Sequence, residues 1–183
     1  KHIVEEALKN DIHLETSSAF DMPMIDSLER QGTVTKDITV ICNGFKTYQY
    51  KQYIIDMIHD GYKNIIPVLD NKEEFNLYDD EIELDEPCAL GIRIASEEQP
   101  DSQFYTSRLG IRQEDVIEFY NNKIADNPNF KVKLLHFFIN SGISDTPYYW
   151  NELEKYVTLY CKFKKINPDL DTLDIGGGMP FKD

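Results

Sequence analysis

Cysteine is scarce in this sequence: Cys42, Cys88 and Cys161 are widely spaced and odd in number. That pattern supports neither a disulfide framework nor a metal site with closely spaced ligands. Cys42 and Cys88 fall in apolar, strand-like runs and read as buried free thiols in a reducing cytoplasm. Positive charge is also short, with 19 Lys and Arg against 33 Asp and Glu, a net charge of −14. A surface for nucleic acid needs a basic face, and an anionic membrane would repel this chain, so neither is expected as a partner. No apolar run approaches the roughly 20 residues of a membrane helix; the longest notable one, residues 134–139, is strand-sized. No signal peptide is evident, because residues 1–10 read as an amphipathic helix. A Gly-x-Gly-x-x-Gly fingerprint and a Walker loop are both absent, which removes the two commonest nucleotide signatures. Linkers and low-complexity tracts are missing too, so residues 1–183 read as one unit.

What is present is a regular alternation. Hydrophobic residues make up 41% of the chain and aromatics 12%, enough for a substantial core. Short apolar runs at residues 12–15, 38–42, 64–69, 88–95, 132–139 and 172–175 read as strands that are apolar on both faces, the mark of a covered parallel sheet. Helical spacing separates them. Tyr50, Tyr53, Ile54, Met57 and Ile58 predict a helix over residues 47–60, and Trp150, Leu153, Val157, Tyr160 and Cys161 predict one over residues 148–165. Pro147, after Asp145 and Thr146, fits the first turn of that last helix. Ser18 with Asp21 resembles a capping box for a helix over residues 20–30, and Asn71 opens a shorter helix. Six βα units at this pace point to an α/β protein, either a doubly wound sheet or a TIM-type (β/α) barrel. Six strands are too few to close an eight-stranded barrel, so the expectation is an incomplete TIM-type barrel and a chain that is a piece of a longer protein.

The last predicted strand runs into Asp174-Ile175-Gly176-Gly177-Gly178-Met179-Pro180. Consecutive glycines let several backbone N–H groups approach one anion, a phosphate cradle; they equally make a tight turn that only ends a strand. Other residues stand just past or near the ends of the predicted strands. Glu15 and Ser18 follow the first, Asn43, Gly44 and Lys46 the second, and Asp70 the third. Arg93 lies near the end of the fourth, and His136, Phe138, Asn140 and Ser141 come with the fifth. Glu15 and Ser18 suit a helix cap as well as a ligand, and Arg93 suits an internal ion pair. Phe138 suits the core, His136 reads as a hydrogen-bonded core histidine, and Lys46 and Arg108 read as solvated loop cations. The long polar loop at residues 96–103, directly after a strand, is where a barrel carries chemistry.

Five segments in order add a resemblance: residues 40–46 (Cys42-Asn43-Gly44-Phe45-Lys46), 91–96 (Gly91-Ile92-Arg93-Ile94-Ala95-Ser96), 107–110, 134–141 (Leu134-Leu135-His136-Phe137-Phe138-Ile139-Asn140-Ser141) and 174–180. Together they resemble the barrel domain of pyridoxal-phosphate-dependent decarboxylases with the alanine-racemase fold, the arginine-decarboxylating branch most of all. The resemblance runs from about His13 to Pro180. It implies pyridoxal 5'-phosphate as cofactor, with Gly176, Gly177 and Gly178 on the phosphate and the Ser141 hydroxyl beside them. It implies that Arg93 faces the phenolic side of the ring, with Glu15 and Ser18 near the ring. Phe138 stands where most of the family places a histidine against the ring; it can stack but cannot donate a hydrogen bond. Asn140 stands where the family usually has glycine.

The resemblance also marks absences. No Tyr/Phe-x-x-Lys-x-Asn motif, which carries the Schiff-base lysine, occurs here, nor a Glu-Pro-Gly-Arg motif, whose glutamate holds the pyridine nitrogen. No catalytic residue is therefore assigned within these residues. The chain is expected to be the central part of a parent lyase that converts L-arginine to agmatine and carbon dioxide in polyamine biosynthesis, a cytoplasmic homo-oligomer. Alternatives are a decarboxylase of another basic amino acid (ornithine, lysine or diaminopimelate) and a non-catalytic half-barrel that binds a phosphorylated ligand.

Overall fold

The computed structural model describes residues 2–10, 12–82, 86–96, 109–139 and 146–177. Six strands run β1 (Leu14–Thr16), β2 (Thr39–Cys42), β3 (Asn64–Leu69), β4 (Cys88–Arg93), β5 (Phe130–His136) and β6 (Thr172–Asp174). The helices are α1 (His2–Ala7), α2 (Met22–Arg30), α3 (Tyr48–His59), α4 (Asn76–Asp79), α5 (Val116–Lys123) and α6 (Thr146–Lys164). Every strand pairs in parallel with its sequence neighbour, in the order β1-β2-β3-β4-β5-β6. A doubly wound sheet reverses strand order at a switch point. Sequential order with right-handed crossovers instead carries every helix to one side and curls the sheet. The architecture is a curled half-barrel, as the sequence predicts.

The two faces of the sheet differ accordingly. Val40, Ile65, Leu90 and Leu135 join Ile25, Ile54, Phe119 and Tyr156 from the helices in the large core. The opposite face holds a small cluster of strand residues only, Ile66, Val68 and Leu134 with Ile41 and Ala89 against it. This concave face corresponds to a barrel interior. Pro67 has no N–H to give β4, and the β3–β4 ladder is correspondingly short, Val68 opposite Gly91 and Leu69 opposite Ile92. In β5 the register slips by one residue, because Leu90 faces Val132 while Gly91 faces Leu134. Lys133 is the extra residue of this bulge.

Several expectations need correction. The buried face of α6 is Tyr149, Glu152, Tyr156, Leu159 and Phe163, one residue out of phase with the predicted stripe, and Trp150 is 60% exposed. Stacking explains the phase: Phe137 lies flat on Tyr156 at 4.0 Å, and Tyr120 meets Phe163 edge-on at 4.9 Å. Residues 2–10 are helical, as expected, with Val4, Ala7 and Leu8 half-buried and no side chain fully buried. Asp21, not Ser18, is the residue at the start of α2. Its carboxylate reaches back to accept from the Ser17 and Ser18 N–H groups at 2.9 and 3.0 Å. The short helix α5 was not singled out in the sequence; it fully buries only Val116 and Phe119, with Ile117 and Tyr120 half-buried beside them. Residues 97–103 of the predicted polar loop lie outside the described residues.

Cys42 and Cys88 are buried and free, while Cys161 is exposed. Burial pushes the Cys42 thiol up to about 11 and the Cys88 thiol up to about 12. One thiol of three should therefore react with an aromatic disulfide reagent in the native protein, and all three after denaturation. The same shifts set a direction for alkaline stability. Between the ordinary thiol range and about 11, the folded chain keeps a Cys42 proton that the unfolded chain has lost, so stability falls as pH rises through that window.

Candidate functional site

Three charged or polar side chains stand in one row at the C-terminal ends of neighbouring strands: Arg93 on β4 faces His136 on β5, which faces Asp174 on β6. The bulge at Lys133 makes this row possible. Phe130 and Val132 pack into the helix-side core. Strict alternation would send His136 the same way. The extra residue inverts the parity, so that Leu134 joins the concave face and His136 follows it. There His136 Nδ1 meets Asp174 Oδ2 at 2.7 Å, both side chains being nearly buried. The sequence reading of a hydrogen-bonded buried histidine holds, but its place is the concave face.

Asp174 does more than hold the imidazole. Its other oxygen, Oδ1, accepts the Gly176 N–H at 2.9 Å. Burial pushes the Asp174 carboxyl up, and the His136 hydrogen bond and charge together with the Gly176 N–H outweigh it, leaving the group below its usual range. Gly176 has φ of +68°. A Cβ there would lie 3.0 Å from Phe138 Cδ2 and 3.1 Å from the Phe137 carbonyl oxygen, so glycine is required both by conformation and by space. A Cβ on Gly177 would meet nothing within 4 Å; it would project into open space. The turn thus has a rigid first glycine and an open second one, which fits a cradle for a phosphate group such as that of pyridoxal phosphate.

Beside this row lies a buried ladder of charge. Arg93 Nη1 is 3.5 Å from Asp70 Oδ1. The Asp70 N–H donates to Glu74 Oε2 at 3.0 Å, and Lys46 Nζ stands 3.6 Å from that oxygen. Lys46 also donates to the Val68 carbonyl at 2.6 Å and to that of Gly44. Its side chain is 0% exposed, against 5% for Glu74 and 0% for Asp70. Lys46 is therefore no solvated loop cation, which corrects the sequence reading. Burial pushes the Glu74 carboxyl up further than Lys46 and the Asp70 N–H bring it down. One oxygen of each acid, Asp70 Oδ2 and Glu74 Oε1, is buried without a hydrogen-bond partner.

At the other edge of the sheet, Glu15 Oε1 accepts from Asn43 Nδ2 at 2.7 Å, joining β1 to the loop after β2. The Ser18 hydroxyl is 3.2 Å from Asp21 Oδ2, so it serves the start of α2. Of the residues singled out for a cofactor, the structure brings Arg93, Phe138, Gly176 and Gly177 together on β4 to β6 and sets Glu15 and Ser18 on the β1 side. Ser141 and Gly178 lie outside the described residues. Sequence reasoning missed three working groups: Asp174 as a bridge, Glu74 as the partner of Lys46, and Asn43 as the partner of Glu15. Glu74 stands in a short 3-10 turn (Glu73–Phe75) after the bend that follows β3, and no local spacing links it to Lys46.

Parallel strands in sequence order with helices on one face define a (β/α)-barrel segment, and its polar groups gather at the end where such barrels usually carry their sites. Residues 12–183 match the pyridoxal-dependent decarboxylase family's pyridoxal-binding domain, and the chain belongs to that family. It is 24% identical over 192 residues to the biosynthetic arginine decarboxylase of Vibrio cholerae serotype O1, covering 98% of this chain and 29% of that protein. Among solved structures it resembles lysine decarboxylase from Selenomonas ruminantium, with TM-score 0.72 and 20% identity over 100% of this chain and 44% of the other. It also resembles alanine racemase of Clostridium difficile 630, with TM-score 0.68 and 10% identity over 94% of this chain and 43% of the other. The chain thus spans under a third of the length of the V. cholerae relative. Among the described residues, no helix is long and apolar enough to cross a membrane.

Proposed function

We propose that this chain is the cofactor-phosphate-binding part of a pyridoxal-phosphate-dependent decarboxylase whose parent converts L-arginine to agmatine and carbon dioxide. The observation that carries the reading is the turn at Gly176 and Gly177, held by Asp174 beside Arg93 and His136 at the C-terminal strand ends. When bound, pyridoxal phosphate supplies an electron sink for the charge left at the α-carbon as carbon dioxide departs. The chain's own residues bind and orient. Gly177 and Gly178 would take the phosphate with Ser141, Gly176 would shape the turn through the N–H it donates to Asp174, Arg93 paired with Asp70 would address the ring's phenolic oxygen, and Phe138 would offer a flat apolar surface. Glu15, joined to Asn43, and Ser18, joined to Asp21, would approach the ring from the β1 side. The family match and the arginine decarboxylase relative support the substrate. A cytoplasmic, homo-oligomeric parent is part of the same proposal; the buried free thiols Cys42 and Cys88 suit a reducing compartment.

A second reading has one specific support. Neither Tyr/Phe-x-x-Lys-x-Asn nor Glu-Pro-Gly-Arg occurs in these 183 residues, which suits a half-barrel that binds a phosphorylated ligand without chemistry. One assay separates the two. The chain by itself should release no labelled carbon dioxide from arginine in the presence of pyridoxal phosphate, because no lysine here matches the strand motif that carries the Schiff base. The full-length reading frame should release it. A parent that turns over lysine or ornithine in preference corrects the substrate; a parent that turns over none favours the binding module. Turnover by this chain alone overturns the assignment of its residues.

A further inference from the structure

We propose that His136 is a positioning residue that acts through Asp174 to set the geometry and charge of the glycine turn, and so tunes its affinity for an oxyanion. The proposal deepens the phosphate-binding reading above and rests on it.

The argument begins with an oddity of charge. A carboxylate two residues before an anion cradle is electrostatically unfavourable, since it repels the ligand that the N–H groups attract. Asp174 is in that place, yet it is built in: one oxygen accepts the Gly176 N–H at 2.9 Å and the other meets His136 at 2.7 Å. The first bond fixes Gly176 in its left-handed conformation; the second supplies a donor that spreads the carboxylate's charge away from the turn. A β-bulge is required to bring the imidazole there, because regular alternation from Phe130 and Val132 would turn it into the helix-side core. The groups facing His136 from the adjoining strands are Asp174 on β6 and Arg93 on β4, itself paired with Asp70. Arg93 adds positive charge to the same row, so His136 stands between a cation paired with Asp70 and the carboxylate to which it is hydrogen-bonded. Without the imidazole, Asp174 would keep a buried, under-compensated charge and would be expected to turn out of its bond with Gly176 toward water.

The test compares His136→Leu, which removes the donor, with His136→Asn, whose amide N–H reproduces the Nδ1 donor. Wild type and both variants are titrated with inorganic phosphate, pyridoxal phosphate and pyridoxal, and amide exchange at Gly176 and Gly177 is followed by nuclear magnetic resonance. The expected result is that His136→Leu loses about tenfold in affinity for both phosphorylated probes, the equivalent of one charge-assisted hydrogen bond. Its affinity for pyridoxal should stay near wild type, Gly176 exchange should accelerate, and His136→Asn should restore both. A His136→Leu variant that binds phosphate like wild type overturns the proposal, as does one that loses pyridoxal and phosphate equally. If His136→Leu does not fold, Asp174→Asn carries the test. It keeps an acceptor for Gly176 and removes the charge His136 offsets, so phosphate affinity should hold or rise, and a clear loss contradicts the charge argument. A wild-type chain that binds no phosphate sinks the cradle reading; the Gly176 exchange comparison then decides the positioning claim alone.

Discussion

Replacing Lys46 with methionine should destabilise the protein by about 3–5 kcal/mol, the cost of breaking a buried ion pair from one side. Lys46 and Glu74 are both withdrawn from water, and Asp70 is buried next to them. Removing the ammonium leaves the Glu74 carboxylate buried without its cation, beside an Asp70 that keeps Arg93, and each acid already has an oxygen lacking a partner. The effect should depend on pH in a definite direction. Glu74 is raised above its ordinary value in the folded chain, so it holds a proton there that the unfolded chain has released. Its contribution therefore favours folding less as pH rises through that window. Lys46 is a lowering influence, so its loss pushes Glu74 higher still, and the deficit of the variant should shrink on acidification. The double variant Lys46→Met with Glu74→Leu should recover only part of the loss, since it removes the uncompensated Glu74 carboxylate but leaves the Val68 and Gly44 carbonyls and the Asp70 N–H without these partners. Urea unfolding at two pH values measures all of this. A Lys46→Met variant within about 1 kcal/mol of wild type, the usual worth of an exposed ion pair, would mean that the ladder is not buried in solution.

Gly176 and Gly177 should separate stability from binding. Gly176→Ala places a methyl 3.1 Å from the Phe137 carbonyl at φ of +68°, and should cost about 1–3 kcal/mol of stability. Gly177→Ala puts its methyl into open space and has no positive φ to strain. It should leave stability within about 0.5 kcal/mol of wild type. Its methyl occupies the space an anion would take, so affinity for pyridoxal phosphate should fall about tenfold, one displaced charge-assisted contact. Thermal unfolding and cofactor titration of both variants check the pair. Equal loss of stability in the two would contradict the described turn, and full-affinity binding by Gly177→Ala would place the phosphate elsewhere.

The strands were legible because burial on both faces leaves continuous apolar runs, and residues 64–69 matched β3 at both ends. Strand order followed from the βα rhythm, since consecutive units pack beside one another. The phase of α6 was not legible, because Tyr and Trp satisfy a periodic stripe whether or not they are buried. The stacking of Tyr156 on Phe137 and of Phe163 against Tyr120 sets the phase that buries Tyr149 and exposes Trp150. The bulge at Lys133 was equally hidden: a run such as Lys131-Val132-Lys133-Leu134-Leu135-His136 shows a parity change only when the partner strand is known. Lys46 misled for the same reason. A lysine after a strand is usually solvated, and the acid that buries it, Glu74, lies 28 residues away on another βα unit. Glycine, serine and arginine near the strand ends could be read as a site, whereas the residues that orient them could not, because orientation is a property of pairs.

The most direct measurement of the central claim is a titration of the isotope-labelled chain with pyridoxal phosphate and with pyridoxal, following each backbone amide by nuclear magnetic resonance. The Gly176 and Gly177 amides should move most with pyridoxal phosphate, should move alike with inorganic phosphate, and should move little with pyridoxal. Resonances of Arg93 and Phe138 should follow the ring-bearing probes. Binding that leaves both glycines unmoved, or that gathers its shifts only around Glu15 and Asn43, would contradict a phosphate cradle on the turn after β6.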